Sequence, residues 1–256
     1  MGAVPFFVFL ATFLIISVHG SGQHIPSLIR QPVDRSDPSS DISCLSWRLG
    51  VETNNIRDWI TVPKKCEGDV ELYMTGSQYL KDSKAVTDEA FTYAESLELA
   101  GDGKDIWVFD IDETSLSNLP FYALYGLGAE VINVTAYLEW QLKGELPALP
   151  ESIKLYKRLM SLGIKVVFLT GRFGFLRNST ESNLKKAGYH TWEKLILRDS
   201  SSLNETQIEF KSGKRRELEE TGYRIVGNIG DQWSDLLGVH PGNRTFKLPI
   251  PMYYIP

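Results

Sequence analysis

Histidine and cysteine are scarce in this 256-residue chain, which has 4 of the first and 2 of the second. His19 falls in an N-terminal leader, and His24, His190 and His240 are too scattered for a histidine-rich dinuclear metal centre. No His-Glu-x-x-His, Gly-x-Ser-x-Gly or Walker sequence occurs, which excludes the zincin, serine-elbow and nucleotide-loop chemistries. Neither Cys44 nor Cys66 is followed by an arginine at the spacing of a cysteine-phosphatase loop. Basic charge is short as well: Lys+Arg 27 against Asp+Glu 32 gives a net charge of −5, and the longest basic block is Lys214-Arg215-Arg216. A nucleic-acid partner is therefore not expected. Any reaction has to use carboxylates, hydroxyls and lysines.

What is present describes a globular chain. Hydrophobic residues make up 43% and aromatics 11%, and a chain of this length buries roughly 70 to 75% of its extended surface, so one or two domains are expected. Val4 to Val18 is almost wholly apolar, the first charged side chain is Arg30, and Gly20-Ser21-Gly22 follows the run. This reads as a signal peptide over residues 1–20. The run falls short of the ~20 residues that span a bilayer, so no stable membrane anchor is expected. Entry into the secretory pathway favours a disulfide between Cys44 and Cys66, worth on the order of 3 kcal/mol. It also makes the four Asn-x-Ser/Thr sequons at Asn133, Asn178, Asn204 and Asn243 candidate glycan sites.

Organisation changes near residue 105. Residues 21–105 read as an N-terminal arm and helical extension, with apolar residues at helical spacing from Val70 to Leu99 that predict one or two helices. From residue 106 onward strands and helices alternate. Strands are predicted at Ile106–Phe109, Ile164–Leu169, Leu195–Leu197 and Tyr223–Val226, and helices at Pro150–Met160, Asn178–Ala187 and Lys214–Thr221. Such alternation predicts an α/β fold with a mostly parallel sheet and helices on both faces. Ligands of these sheets sit at the carboxyl ends of the strands.

Chemistry-bearing residues stand at those ends: Asp110-Ile-Asp112-Glu113-Thr114, then Thr170-Gly171-Arg172, then Gly230-Asp231 with Asp235. Carboxylates gathered there repel one another unless a cation neutralises them, and an all-oxygen site suits Mg²⁺ with phosphoryl oxygens as further ligands. A carboxylate in such a site can attack phosphorus and form an aspartyl-phosphate. Taken singly, Asp110 or Asp112 at a strand exit could equally cap a helix or make an Asx turn.

Asp110-x-Asp112-x-Thr114, Leu169-Thr170-Gly171-Arg172, Phe210-Lys211-Ser212 and Gly230-Asp231-x-x-x-Asp235 resemble, in order, the four motifs of the haloacid dehalogenase superfamily of phosphatases. Cys44-x-x-Trp47-Arg48, Asn54-Asn55, Trp59, Val62-Pro63-x-x-Cys66, Tyr73-Met74, Tyr79 and Asp82 extend the likeness to its plant acid phosphatase and vegetative storage protein branch, over about residues 40–255. The resemblance implies a Rossmann-like catalytic domain over residues 106–256 with a small helical cap at about 115–149. It implies Asp110 as nucleophile and Asp112 as general acid and base, the latter needing a raised pKa. Mg²⁺ would be held by Asp110, Asp231 and the main-chain carbonyl of Asp112. Thr170 and Lys211 would bind phosphate, with Asp235 orienting Lys211 or a metal-bound water. Lys214 competes with Lys211 for the lysine role. Asp235 has a second reading as a helix cap, and Arg172 stays open between a contact with the substrate and a surface role.

The cap segment Ser115–Leu149 carries Phe121, Tyr122, Tyr125, Tyr137 and Trp140, and Thr135–Lys143 reads as a helix stopped by Gly144. These aromatics read either as a wall over the phosphate or as ordinary packing on the sheet. The implied partner is a small-molecule phosphomonoester, a homodimer is compatible, and the destination is extracellular or vacuolar. The implied activity is a secreted Mg²⁺-dependent acid phosphatase. The alternatives are a nitrogen-storage protein, disfavoured by the presence of Asp110, and a phosphotransferase.

Overall fold

The computed structural model describes residues 43–256; the expected signal peptide and its cleavage zone lie outside them. Helix α1 (Cys44–Glu52) starts at Ser43, whose hydroxyl accepts from the Ser46 amide. Helices α2 (Glu67–Thr75) and α3 (Ser77–Glu95) follow, separated by Gly76, so the apolar stretch predicted as one or two helices is two. Cys44 and Cys66 are joined in a disulfide.

Strand β1 (Asp105–Phe109) is buried along its whole length, as a strand covered on both faces requires. The connection after it holds short helix α4 (Leu119–Tyr122) and helix α5 (Val134–Lys143). Asn133 caps α5 by accepting from the Ala136 amide, and Gly144 ends it in the left-handed conformation at φ 60°. Then come α6 (Pro150–Ser161), β2 (Lys165–Phe173), α7 (Arg177–Lys186), β3 (Lys194–Arg198), α8 (Gln207–Glu220), β4 (Arg224–Gly230), α9 (Trp233–Leu236) and β5 (Thr245–Lys247).

The strand order is β3-β2-β1-β4-β5, with every pairing parallel. Trp107 and Phe109 pack with Val166 and Phe168 against α3, α6 and Leu184 of α7, while Ile106 and Val108 pack with Val167 and Leu169 against Phe210 and Leu218 of α8. Helices thus cover both faces, as expected. Three elements depart most from the predicted bounds, β4 among them, since it runs on four residues past Val226 to Gly230. Helix α8 begins seven residues before the predicted Lys214, because Thr206 and Glu209 form a reciprocal capping box. Strand β2 runs on through Thr170-Gly171-Arg172. The three-residue edge strand β5 has no counterpart among the predicted strands.

A second core joins the N-terminal helices to the insert and the C-terminal tail: Trp47, Val70 and Tyr73 pack with Phe121, Tyr122, Leu127, Ile250 and Met252. Gly128 is required there at φ 89°, because a side chain would run into the Met252 carbonyl. Among the described residues no helix is long and apolar enough to cross a membrane.

Candidate active site

Strand β1 is central, with β2 and β3 wound to one side and β4 and β5 to the other. The crevice beyond its carboxyl end is where such sheets bind ligands, and Asp110 is the first residue past it. Its amide donates to the Ile229 carbonyl of β4 at 3.1 Å, and its own carbonyl accepts from Ser115 Oγ at 2.6 Å. The neighbouring strand delivers Asp231 directly after Gly230. Gly230 cannot carry a side chain, since a Cβ would overlap the Asp235 carboxylate. That absence is what lets Asp235 fold back from α9.

Lys211, on the second turn of α8, reaches between two of these acids. Its Nζ donates to Asp110 Oδ1 at 2.6 Å and to Asp235 Oδ1. Burial disfavours the ammonium, but the attraction of Asp110 and Asp235 outweighs it and raises the Lys211 pKa. Lys214 instead pairs with Glu217 at 2.9 Å on the outer side of the helix. Asp235 also accepts from the Gln232 amide at 2.9 Å, so it caps α9 and holds Lys211 together.

Arg215, fully buried, fixes the loop that carries Asp235. Its guanidinium donates to the carbonyls of Asp235 at 2.6 Å, Leu237 at 2.5 Å and His240 at 2.8 Å. Burial without a carboxylate in contact draws its pKa down to about 10.

One oxygen from each of Asp110, Asp231 and Asp235 lies within 4.8 Å of the others, all three residues being buried. Among the described residues Lys211 is the one ammonium in contact with this cluster, so negative charge is in excess. Burial, with repulsion from Asp235, Asp231 and Asp112, lifts the Asp110 pKa well above the carboxylate range despite Lys211. Burial and Asp235 push Asp231 up to about 6. An all-oxygen donor set with surplus negative charge fits a hard divalent cation. Asp231 is oriented by three donors: Thr114 Oγ1 at 3.0 Å, Gln232 Nε2 at 2.9 Å and Tyr253 OH at 2.8 Å.

Asp112 faces a different set of partners. Arg172 forks onto it, Nε to Oδ2 at 2.9 Å and Nη2 to Oδ1 at 2.7 Å, while Asn118 Nδ2 donates to Oδ1 at 2.8 Å and Gln141 Nε2 at 3.4 Å. Burial works to raise its pKa, but Arg172, Asn118 and Gln141 together bring it below the usual value. The expectation of a raised pKa at Asp112 is corrected for this resting arrangement, because the fork stabilises the carboxylate. The surface reading of Arg172 is corrected too: the residue is 4% exposed and also donates to Thr180 Oγ1 at 3.1 Å.

Asn118 is held in turn by the insert, since Trp140 Nε1 donates to its Oδ1 at 3.1 Å. Glu113, buried at φ 54°, closes the turn between Asp112 and Asn118 by accepting from the Asn118 amide. The insert therefore does more than cover the site. Tyr122 and Tyr137 line the cavity, whereas Phe121 and Tyr125 stack on each other at 4.5 Å in the second core.

These groups share a cavity of about 430 Å³, lined at its base by Asp110, Asp112, Thr170, Arg172, Lys211 and Asp231. Thr170 is 1% exposed and its hydroxyl accepts from the Arg172 amide at 3.2 Å. The four sequon asparagines are all exposed. Asn118, Gln141, Arg215 and Tyr253 belong to none of the motifs in the sequence, yet all four contact the site acids or the loop that carries them. A 4%-exposed glutamine on α5 is a signal visible only after folding, and a tyrosine three residues from the end of the chain carries none.

A model of the family described as HAD superfamily, subfamily IIIB (acid phosphatase), matches residues 32–256. The chain is 48% identical over 252 residues to a stem 31 kDa glycoprotein of Glycine max, covering 98% of each. It is 45% identical over 253 residues to acid phosphatase 1 of Solanum lycopersicum, covering 97% of this chain and 98% of that one. It is 47% identical over 216 residues to vegetative storage protein 2 of Arabidopsis thaliana, covering 84% and 81%. Among solved structures, the class C acid phosphatase from Bacillus anthracis superposes with a TM-score of 0.62 at 24% identity, over 75% of this chain and 86% of that one. That likeness bears on the fold alone.

Proposed function

As the chain belongs to the acid phosphatases of HAD subfamily IIIB, we propose that this phosphatase is a secreted, Mg²⁺-dependent enzyme that cleaves phosphate monoesters through Asp110. The observation that carries the proposal is the meeting of Asp110, Asp231 and Asp235 around one lysine at the floor of a cavity. Asp110, Asp231 and the main-chain carbonyl of Asp112 would hold the ion, with Asp235 orienting Lys211 beside it. When bound, the ion neutralises the surplus negative charge and polarises the phosphoryl oxygens.

Lys211 and the Thr170 hydroxyl bind the phosphate, setting phosphorus in front of the Asp110 carboxylate. Asp110 attacks, the ester oxygen leaves with a proton from Asp112, and an aspartyl-phosphate remains. A water then attacks phosphorus, gives its proton to Asp112 and releases Asp110 and inorganic phosphate. Arg172 has a part in this cycle as well. A bound phosphate dianion offers it a second anionic partner, and any loosening of its grip makes protonation of Asp112 easier.

Hydrolysis of p-nitrophenyl phosphate by the purified mature chain, with Mg²⁺ and with chelator, beside Asp110→Asn, tests this directly. Turnover that survives both chelation and the substitution refutes the mechanism. The names of the relatives favour a second reading, a storage reserve that accumulates in vegetative tissue. Retention of Asp110 together with an assembled site argues for catalysis, and the two roles are compatible in one molecule.

A further inference from the structure

Away from its phosphate-binding floor, the cavity loses its charge. Only Glu130, beside the mouth, is charged among the remaining described lining residues, and it lies 3.7 Å from Lys64. Both cations of the floor are engaged, Lys211 with Asp110 and Asp235 and Arg172 with Asp112. A second phosphate or a carboxylate on the substrate would find no uncommitted cation among the described lining residues and one repelling carboxylate.

Beyond Glu130 the remaining lining is uncharged: Tyr137, Phe173 and Tyr254 stand beside the polar Gln207, Gln232 and Ser234, and the exposed Ile60, Val131 and Val134 form the rim. The three rim side chains are 83%, 77% and 66% exposed. Single exposed aliphatics are ordinary on a protein surface, but a group of them continuous with a functional cavity marks a place where apolar surface is covered by a ligand.

Building on the phosphatase reading above, we infer that the alcohol half of the substrate is apolar, an aryl or medium-chain alkyl group that runs from the phosphate over Tyr137 to the Ile60–Val134 rim. A monoester of this kind places its single dianion on Lys211 and Thr170 and its hydrocarbon on Tyr137 and the rim. Sugar bisphosphates, inositol phosphates and nucleoside polyphosphates bring further anionic groups that the described lining does not neutralise. The volume suits a ligand of about this size, since small-molecule pockets begin at roughly 300 Å³.

The test is the dependence of kcat/KM on chain length for ethyl, butyl and hexyl phosphate, with glucose 6-phosphate as a polar comparison and p-nitrophenyl phosphate as the measure of phosphatase activity itself. Burial of each methylene predicts a rise of about twofold to fourfold, the upper figure corresponding to ~0.8 kcal/mol. Ile60→Asn and Val134→Asn, both at exposed positions that the fold tolerates, should each lower the hexyl-to-ethyl ratio at least about twofold. Because that ratio is taken within one variant, general loss of activity cancels.

Hydrolysis of p-nitrophenyl phosphate with a flat chain-length series, or with glucose 6-phosphate preferred over hexyl phosphate, overturns the inference and leaves the phosphatase reading standing. An unchanged ratio in both variants overturns the placement at the rim. Absence of turnover on every ester, p-nitrophenyl phosphate included, overturns both readings together.

Discussion

Replacing Arg172 by methionine isolates the grip on Asp112. The Arg172 side chain is 1% exposed and that of Asp112 18%, so the variant keeps the hydrocarbon volume but leaves a nearly buried carboxylate facing only Asn118 and Gln141. Removing one partner of a buried ion pair costs about 3 to 5 kcal/mol. The opening of Asp112 to the cavity and its two remaining donors place the expected loss at the lower end, about 3 kcal/mol. For a chain of this size that is a fall of roughly 6 to 12 °C in Tm.

The pH dependence gives a sharper check. In the parent, Asp112 has a depressed pKa, so its contribution to stability is complete above the unfolded value of about 3.9 and is lost only as the pH falls through the lower native value. In the variant, burial acts without the guanidinium and the native pKa moves above the unfolded one. Asp112 then destabilises the fold above that pKa, and protonation relieves it. The Tm gap between parent and variant should therefore widen as the pH rises from about 4 to 7, measured by calorimetry in chelator and phosphate-free buffer. Adding Asp112→Asn to the variant should recover about half the loss or more, because an amide carries no charge to strand. A gap independent of pH, or a double variant no more stable than Arg172→Met alone, would refute the reasoning.

Three further outcomes are expected. Trp140→Phe, which frees the Asn118 side chain from the insert, should slow hydrolysis of alkyl phosphates about tenfold while changing p-nitrophenyl phosphate turnover less than about twofold, since only a poor leaving group depends on Asp112 as an acid; equal effects on both would reduce Trp140 to packing. In chelator the raised pKa of Asp231, about 6, makes the folded chain bind a proton that the unfolded chain releases, so its contribution weakens as the pH climbs from about 4 to 6. Mg²⁺ should restore stability most at the upper end of that range, by about 2.7 kcal/mol at a hundredfold excess over its Kd, and a thermal shift equal at both ends would contradict the assignment of Asp231 as a ligand. Reduction of the Cys44–Cys66 bond, which spans 22 residues of sequence, should cost about 3 kcal/mol and lower Tm by roughly 6 to 12 °C, read by calorimetry with and without reductant; an unchanged Tm would show that the second core holds α1 without it.

How far the site could be read in advance followed the distance over which each residue's neighbours act. Asp110 and Asp231 stand directly past strand ends, and Thr170 follows the apolar run that marks a strand in the sequence, where local alternation and the parallel-sheet rule already place ligands. Lys211 is legible as part of a motif, yet apolar spacing starts its helix three residues after it, because the true start rests on the reciprocal capping of Thr206 and Glu209. Strand β5 was missed since three residues, Thr245–Lys247, carry too little periodicity, and its place depends on the neighbouring edge of β4.

The order of the first four strands and the longer helices between them, the carboxylates at their junctions and the turn residues that end them were written in the sequence alone, because each depends on residues within a few positions of one another. Folding alone decided the rest: that Arg172 is buried against Asp112, that Tyr253 reaches Asp231 across 22 residues of chain, that Arg215 ties down the loop of Asp235, that Gln141 reaches Asp112 and that Trp140 reaches Asn118. These contacts join segments whose separation along the chain leaves no periodic trace. They exist because burial in a common core brings the partners together and because a buried polar group must find a hydrogen-bonding partner there.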